Sequence, residues 1–116
     1  MTELTFECVI DRELYEFSDK KYINIAVDEN TVQKINRIQY ISVNINPLVG
    51  NILKVKVPFR YRKLEVEVVG DRTVYELKKG DFVSAITVKC CGVWKVAEIS
   101  GYAWKVTSIT INDLNI

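Results

Sequence analysis

Leu53-Lys54-Val55-Lys56-Val57-Pro58-Phe59-Arg60-Tyr61-Arg62-Lys63 alternates apolar and basic side chains almost without a break. Successive side chains of a strand point to opposite faces. The spacing therefore predicts one long strand, with Leu53, Val55, Val57, Phe59 and Tyr61 facing a core. Lys54, Lys56, Arg60 and Arg62 would stand in line on the other face, with Lys63 just beyond. Pro58 has no N–H for a sheet ladder, which points to an edge strand or a bulge. Two readings fit the basic row. Neighbouring like charges repel, and a polyanion such as a nucleic-acid backbone relieves that repulsion. Equally, the cations could simply solubilise an outward face and protect an edge from pairing.

The charges around this stretch are segregated. The 116 residues carry a formal net charge of only +1, and the length suits one domain over residues 1–116. Up to Asn30 the acids Glu3, Glu7, Asp11, Glu13, Glu16, Asp19, Asp28 and Glu29 outnumber the bases. From Thr31 to Leu64 every charged residue is basic. The near-neutral total thus hides an acidic segment and a basic one. No apolar run approaches the roughly 20 residues needed to cross a bilayer. The opening MTELTFECVI is acidic and alternating, unlike a signal peptide, so a cytoplasmic protein is expected. Cys8, Cys90 and Cys91 are odd in number and the chain has no His. That is a poor disulfide framework and a poor metal-ligand set; no cofactor or metal is expected, and Cys8 reads as a core residue.

Along the chain the pattern is mostly of period two. Thr2 to Ile10 predicts a half-buried strand, Asp11 to Lys21, with Ser18-Asp19 inside it, a turn or an irregular connection, and Tyr22 to Val27 a short strand. Asp28 or Asn30 could cap a short helix reaching Arg37, with Val32 and Ile35 on its apolar face; a continuing strand is the competing reading. Ile38 to Ile45 alternates again, and the turn residues Asn46 to Asn51 would join it to the basic strand as a long hairpin. Tyr40 would then share the outer face with the cations. Apolar parity flips at Leu64, Val66 and Val68, as a bulge or barrel corner would cause. A short strand is expected over Thr73 to Leu77 and another over Phe82 to Val88, broken at Cys90-Cys91-Gly92. A last hairpin is expected from Val93–Ile99 and Tyr102–Ile111 around Ser100-Gly101.

That last hairpin contains Val93-Trp94-Lys95-Val96 and Ala103-Trp104-Lys105-Val106. Each Trp is followed by a Lys, a pairing suited to base stacking with phosphate contact. Large buried aromatics would give the same pattern, since Trp is usually mostly buried. Tyr102, near the expected tip, reads as exposed.

Leu77-Lys78-Lys79-Gly80-Asp81-Phe82-Val83 and the later Gly101-Tyr102-Ala103-Trp104-Lys105-Val106 resemble the second half of an OB-fold single-stranded-DNA-binding protein. In that family a "KGD-x-V" turn opens a barrel strand and a Gly-aromatic strand closes the barrel. The likeness covers roughly residues 38–111 and is greatest to small phage-encoded binders such as those of lactococcal phages. It implies an all-β, OB-fold-like five-stranded barrel with at most one short helix, to which Thr2–Ile10 would be an additional N-terminal strand or an oligomer contact. It also implies single-stranded DNA as ligand, service in replication or recombination with proteins of those processes as partners, and the host cytoplasm as location. A homo-oligomer (dimer or tetramer) is expected on a separate ground, since the acidic and basic segments could pair between subunits. The Gly-rich linker and acidic tip of bacterial relatives are absent from Asn112-Asp113-Leu114-Asn115-Ile116, which would leave partner recruitment to the body of the domain.

Catalysis is not expected: the sequence has no His, no Gly-rich phosphate loop and no nucleophile elbow. Glu65 and Glu67 read as solvated surface. The expected function is sequence-independent binding of single-stranded DNA. Lys54, Lys56, Arg60, Arg62, Lys63, Lys95 and Lys105 would contact phosphates, while Tyr40, Trp94, Tyr102 and Trp104 stack bases. The alternative is a β-rich, non-enzymatic interaction or structural module of a phage, its basic strand facing an acidic partner or a neighbouring subunit.

Overall fold

In the computed structural model, which describes residues 3–38, 45–48, 50–60, 63–64, 67–69 and 74–111, the alternating stretches become staves of a barrel. The elements are β1 (Glu3–Phe17), β2 (Lys20–Ala26), α1 (Glu29–Arg37), β3 (Ile52–Val57), β4 (Phe59–Arg60), β5 (Lys63–Leu64), β6 (Glu67–Val69), a 3₁₀ turn at Val74–Glu76, β7 (Phe82–Val96) and β8 (Ile99–Thr110). β1, β2, β3, β8 and β7 pair in that order and β7 returns to β1, so five strands close on themselves. The closing contact is parallel, Val55 opposite Trp104 and Lys56 opposite Lys105. The chain is therefore all-β and OB-fold-like, with one α-helix among the described residues. Closure removes most free edges, the usual hazard of a small sheet.

The core follows from the alternation. Ile23 and Ile25 of β2, Val55 and Val57 of β3, Val83, Ile86 and Val88 of β7, and Val106 and Ile109 of β8 are all buried. Cys8 is buried among them, as its place on an apolar strand face requires. Burial pushes its thiol pKa up to about 12, and Cys90 is also raised by burial. Cys91 is exposed. Because the thiolate is the reactive form, an aromatic disulfide reagent should react quickly with Cys91 in the native protein. Cys8 and Cys90 should react only in denaturant. Equal rates for all three would contradict this core.

The helix forms where its cap stands. The Asp28 carboxylate accepts the Thr31 N–H at 2.8 Å, Glu29 opens the first turn and Lys34 and Arg37 close the last, each favourable to the helix dipole. The hydrogen bonds from Thr31 hold the Asp28 pKa below its ordinary value. A depressed carboxyl pKa stabilises the fold above the unfolded value of 3.8 and the contribution fades as pH falls through the folded one. Asp28→Ala should lower Tm at neutral pH, with the gap to wild type closing in acid; Asp28→Asn, itself a good cap, should recover most of the loss.

Several boundaries differ from the sequence reading. The basic stretch is two strands, because Pro58 ends β3 and β4 starts at Phe59. The partner of β3 over its whole length is β2, with β8 against its other edge at Val55 and Lys56. Residues 39–44 of the hairpin expected from Ile38–Ile45 lie outside the described residues. Asp11 to Phe17 continues β1 rather than forming an irregular connection. The turn is Ser18-Asp19, both at positive φ. The N-terminal strand is a stave of the barrel, paired on both sides, and not an addition to it. A 3₁₀ turn replaces the strand expected near Thr73 to Leu77.

Cys90-Cys91-Gly92 does not break β7. The register against β8 shifts by one residue there, and Gly92 at φ +154° absorbs the bulge. The hairpin turn consequently falls at Ala97-Glu98, three residues before the expected Ser100-Gly101. The Lys78–Asp81 turn does form. Gly80 takes φ +94°, and its N–H donates to the Ile10 carbonyl while the Ile10 N–H donates to that of Asp81. Among the described residues no helix is long and apolar enough to cross a membrane.

Candidate nucleic-acid interface

A cleft of about 500 Å³ opens between β3, the projecting β7–β8 hairpin, the end of α1 and residues 46–48. Lys54, Trp94, Tyr102 and Trp104 all line it, so a cation of β3 meets three aromatics of the distant β7–β8 hairpin in one place. Local hydrogen bonds hold its walls. Asn46 Oδ1 accepts from the Ser100 backbone N–H at 2.9 Å and from its hydroxyl at 3.1 Å. Asn36 Oδ1 accepts the Leu48 N–H at 2.7 Å. The Tyr102 hydroxyl donates to the Ile38 carbonyl.

The two tryptophans have different fates. Trp104 is 3% exposed, opposite Cys90 and Val55 and edge-on to Tyr102 at 6.3 Å. It offers no ring face to a base, which corrects its assignment as a stacking residue: it belongs to the core wall of the cleft. Trp94 is 43% exposed and lies over Gly101 on the hairpin that projects past β1. Tyr102 is half-buried and tied to α1, not exposed at a tip, because the turn lies farther along. Lys95 is exposed on the same hairpin, opposite Ser100.

On the outer face Lys54 is exposed and Lys56 half-buried, as the alternation requires. The Lys54 ammonium sits 4.5 Å from the Tyr22 ring centroid and 5.3 Å from that of Phe17. Arg12 stacks over Tyr15 at 3.8 Å, Tyr15 and Tyr22 are 5.9 Å apart, and the Tyr15 hydroxyl donates to Asn24 Oδ1 at 2.7 Å. Burial raises the Tyr15 pKa, Arg12 opposing it. Cation–π contacts of this kind order the cations without neutralising them. Lys54 thus joins the cleft to an aromatic-cation face on β1, β2 and β3.

Arg12, Tyr15, Phe17 and Tyr22 lie in the acidic segment, where Leu14, Tyr15 and Phe17 read only as anchors of a connection. The signal available was one cation and three aromatics on either side of Ser18-Asp19. The acids there have local duties, Glu13 pairing with Lys78 at 3.5 Å and Glu16 with Lys21 at 3.4 Å.

Arg60 and Lys63 are directly opposite on the small β4–β5 ladder. Lys105 is half-buried on β8, opposite Lys56. Tyr40 and Arg62 lie outside the described residues. Among the described residues no cluster of His, Cys, Asp or Glu could hold a metal ion. No family model, curated protein or solved structure matches the chain.

Proposed function

We propose that this chain binds single-stranded DNA without regard to sequence, as a non-catalytic protein of replication or recombination. The observation that carries the reading is Lys54. It lines the same cleft as the exposed Trp94 and also stands over Tyr22 and Phe17. A cation between stacking surfaces suits a strand whose bases lie on aromatics and whose phosphates follow the lysines. The OB-fold offers its second and third strands and adjacent loops for this purpose, and here those strands hold Tyr22, Lys54 and Lys56.

Titration with oligo-dT, read by tryptophan fluorescence at low and high salt, tests it. Quenching that salt reverses is expected. If Lys54, Lys56, Arg60, Arg62 and Lys63 each neutralise one phosphate, the log–log salt slope should be about −3.5, from roughly −0.7 per phosphate. A slope near zero, or unchanged affinity after charge reversal of Lys54, Lys56, Arg60 and Arg62, would sink the proposal.

A second reading, a protein-interaction module of a phage, has its own support. Phe82, Val9, Ala26 and Ile52 are opposite one another across β7, β1, β2 and β3, and Phe82 is 53% exposed. The same apolar row would serve a homo-oligomer. Sedimentation of the wild type and Phe82→Asp, with and without oligo-dT, separates the two: self-association lost in the variant with DNA affinity intact assigns the row to subunit contact. Association with no affinity for oligonucleotides favours the interaction module.

A further inference from the structure

The fold builds a second row of cations that no stretch of sequence contains. Lys56 on β3 is directly opposite Lys105 on β8, and Lys105 is directly opposite Lys89 on β7. The adjoining row, Val55, Trp104 and Cys90, is buried, so by strand alternation the three lysines all face outward. Strands are about 4.8 Å apart, which sets these positions within about 10 Å across the barrel wall. Among the described residues none of the three has a carboxylate partner. Like charges directly opposite on a sheet destabilise it, and here three stand abreast. On one side the row continues into Tyr22 and Tyr15. On the other it ends at Glu3, opposite Lys89 on β1.

We propose that Lys56, Lys105 and Lys89 form a second phosphate track, running across the strands rather than along β3. It rests on the single-strand reading and extends it. A strand long enough to leave the cleft turns at Lys54, and its phosphodiester backbone crosses β3, β8 and β7 in succession. Glu3 ends the track, because its carboxylate repels the next phosphate. The ligand length engaged is thereby set by the girth of the barrel and not by the length of the basic strand.

The test uses the full chain, Lys89→Gln and Lys89→Gln/Lys105→Gln, with oligo-dT of about 4 and about 16 nucleotides, the span of site sizes for one OB domain. For the long probe the salt slope should become shallower by roughly 0.7 per lysine removed. Lys89→Gln should leave the short probe unaffected. Its melting temperature should stay close to the wild type's, since the repulsion from Lys105 and the attraction to Glu3 are removed together. Equal weakening on both lengths, or no change on either, would overturn the track while leaving the single-strand reading intact. Failure of the wild type to bind either probe would overturn both.

Discussion

Trp94→Ala is expected to weaken oligo-dT binding by roughly 5- to 150-fold, the equivalent of about 1–3 kcal/mol for one stacked base, while leaving the melting temperature close to that of the wild type. Trp104→Ala is expected to do the reverse. The Trp104 ring is enclosed by β3, β7 and β8, and emptying such a site costs about 3–5 kcal/mol. A domain of this size has only about 5–15 kcal/mol to lose, so Trp104→Ala should melt far below the wild type. Trp104→Phe, which keeps an aromatic in place, should recover most of the stability. Thermal unfolding followed by circular dichroism and anisotropy with labelled oligo-dT give the two readouts separately. Normal affinity in Trp94→Ala would remove base stacking from the cleft. A stable Trp104→Ala would mean that its surroundings collapse onto the space.

The contrast also marks how far local pattern reaches. Trp94 and Trp104 stand in near-identical settings, each before Lys and Val, and nothing in those four-residue frames separates them. What separates them is the described β1–β7 pairing, which ends at Glu3 opposite Lys89. Beyond it, among the described residues, β7 pairs with β8 alone and Trp94 emerges from the barrel. Where strands kept strict period two, as in Leu53 to Val57 or Ile23 to Val27, core and surface were legible residue by residue.

Where a bulge shifts the period, the pattern misled. The register of β1 slips between Ile10 and Arg12 and again between Arg12 and Tyr15, so a continuing strand read as irregular. The extra residue at Cys91 did the same for β7. The aromatic-cation face suffered a different loss. Tyr15 meets Tyr22, and Tyr22 meets Lys56, through pairings that depend on register across three strands. Basic and acidic segments that looked separate in sequence are laid side by side by the barrel.

Gly101 supplies the other large effect. The sequence suggests a turn glycine, but the turn is at Ala97-Glu98 and Gly101 lies within β8. Its role is close approach: a Cβ added there would lie 2.6 Å from Trp94 Cζ2, 2.7 Å from Cε2 and 2.8 Å from Nε1. Gly101→Ala must therefore displace the indole. The ring is half open to solvent on a projecting hairpin, so it can swing aside without dismantling the barrel. The expected result is a red-shifted Trp94 emission and a loss of affinity approaching that of Trp94→Ala, with little loss of fold. Because both substitutions act through the same ring, their effects should not add. Gly101→Ala made in the Trp94→Ala background should change affinity hardly at all. Additive losses would mean that Gly101 meets the ligand itself, and an unshifted emission would mean that the ring does not rest on this glycine.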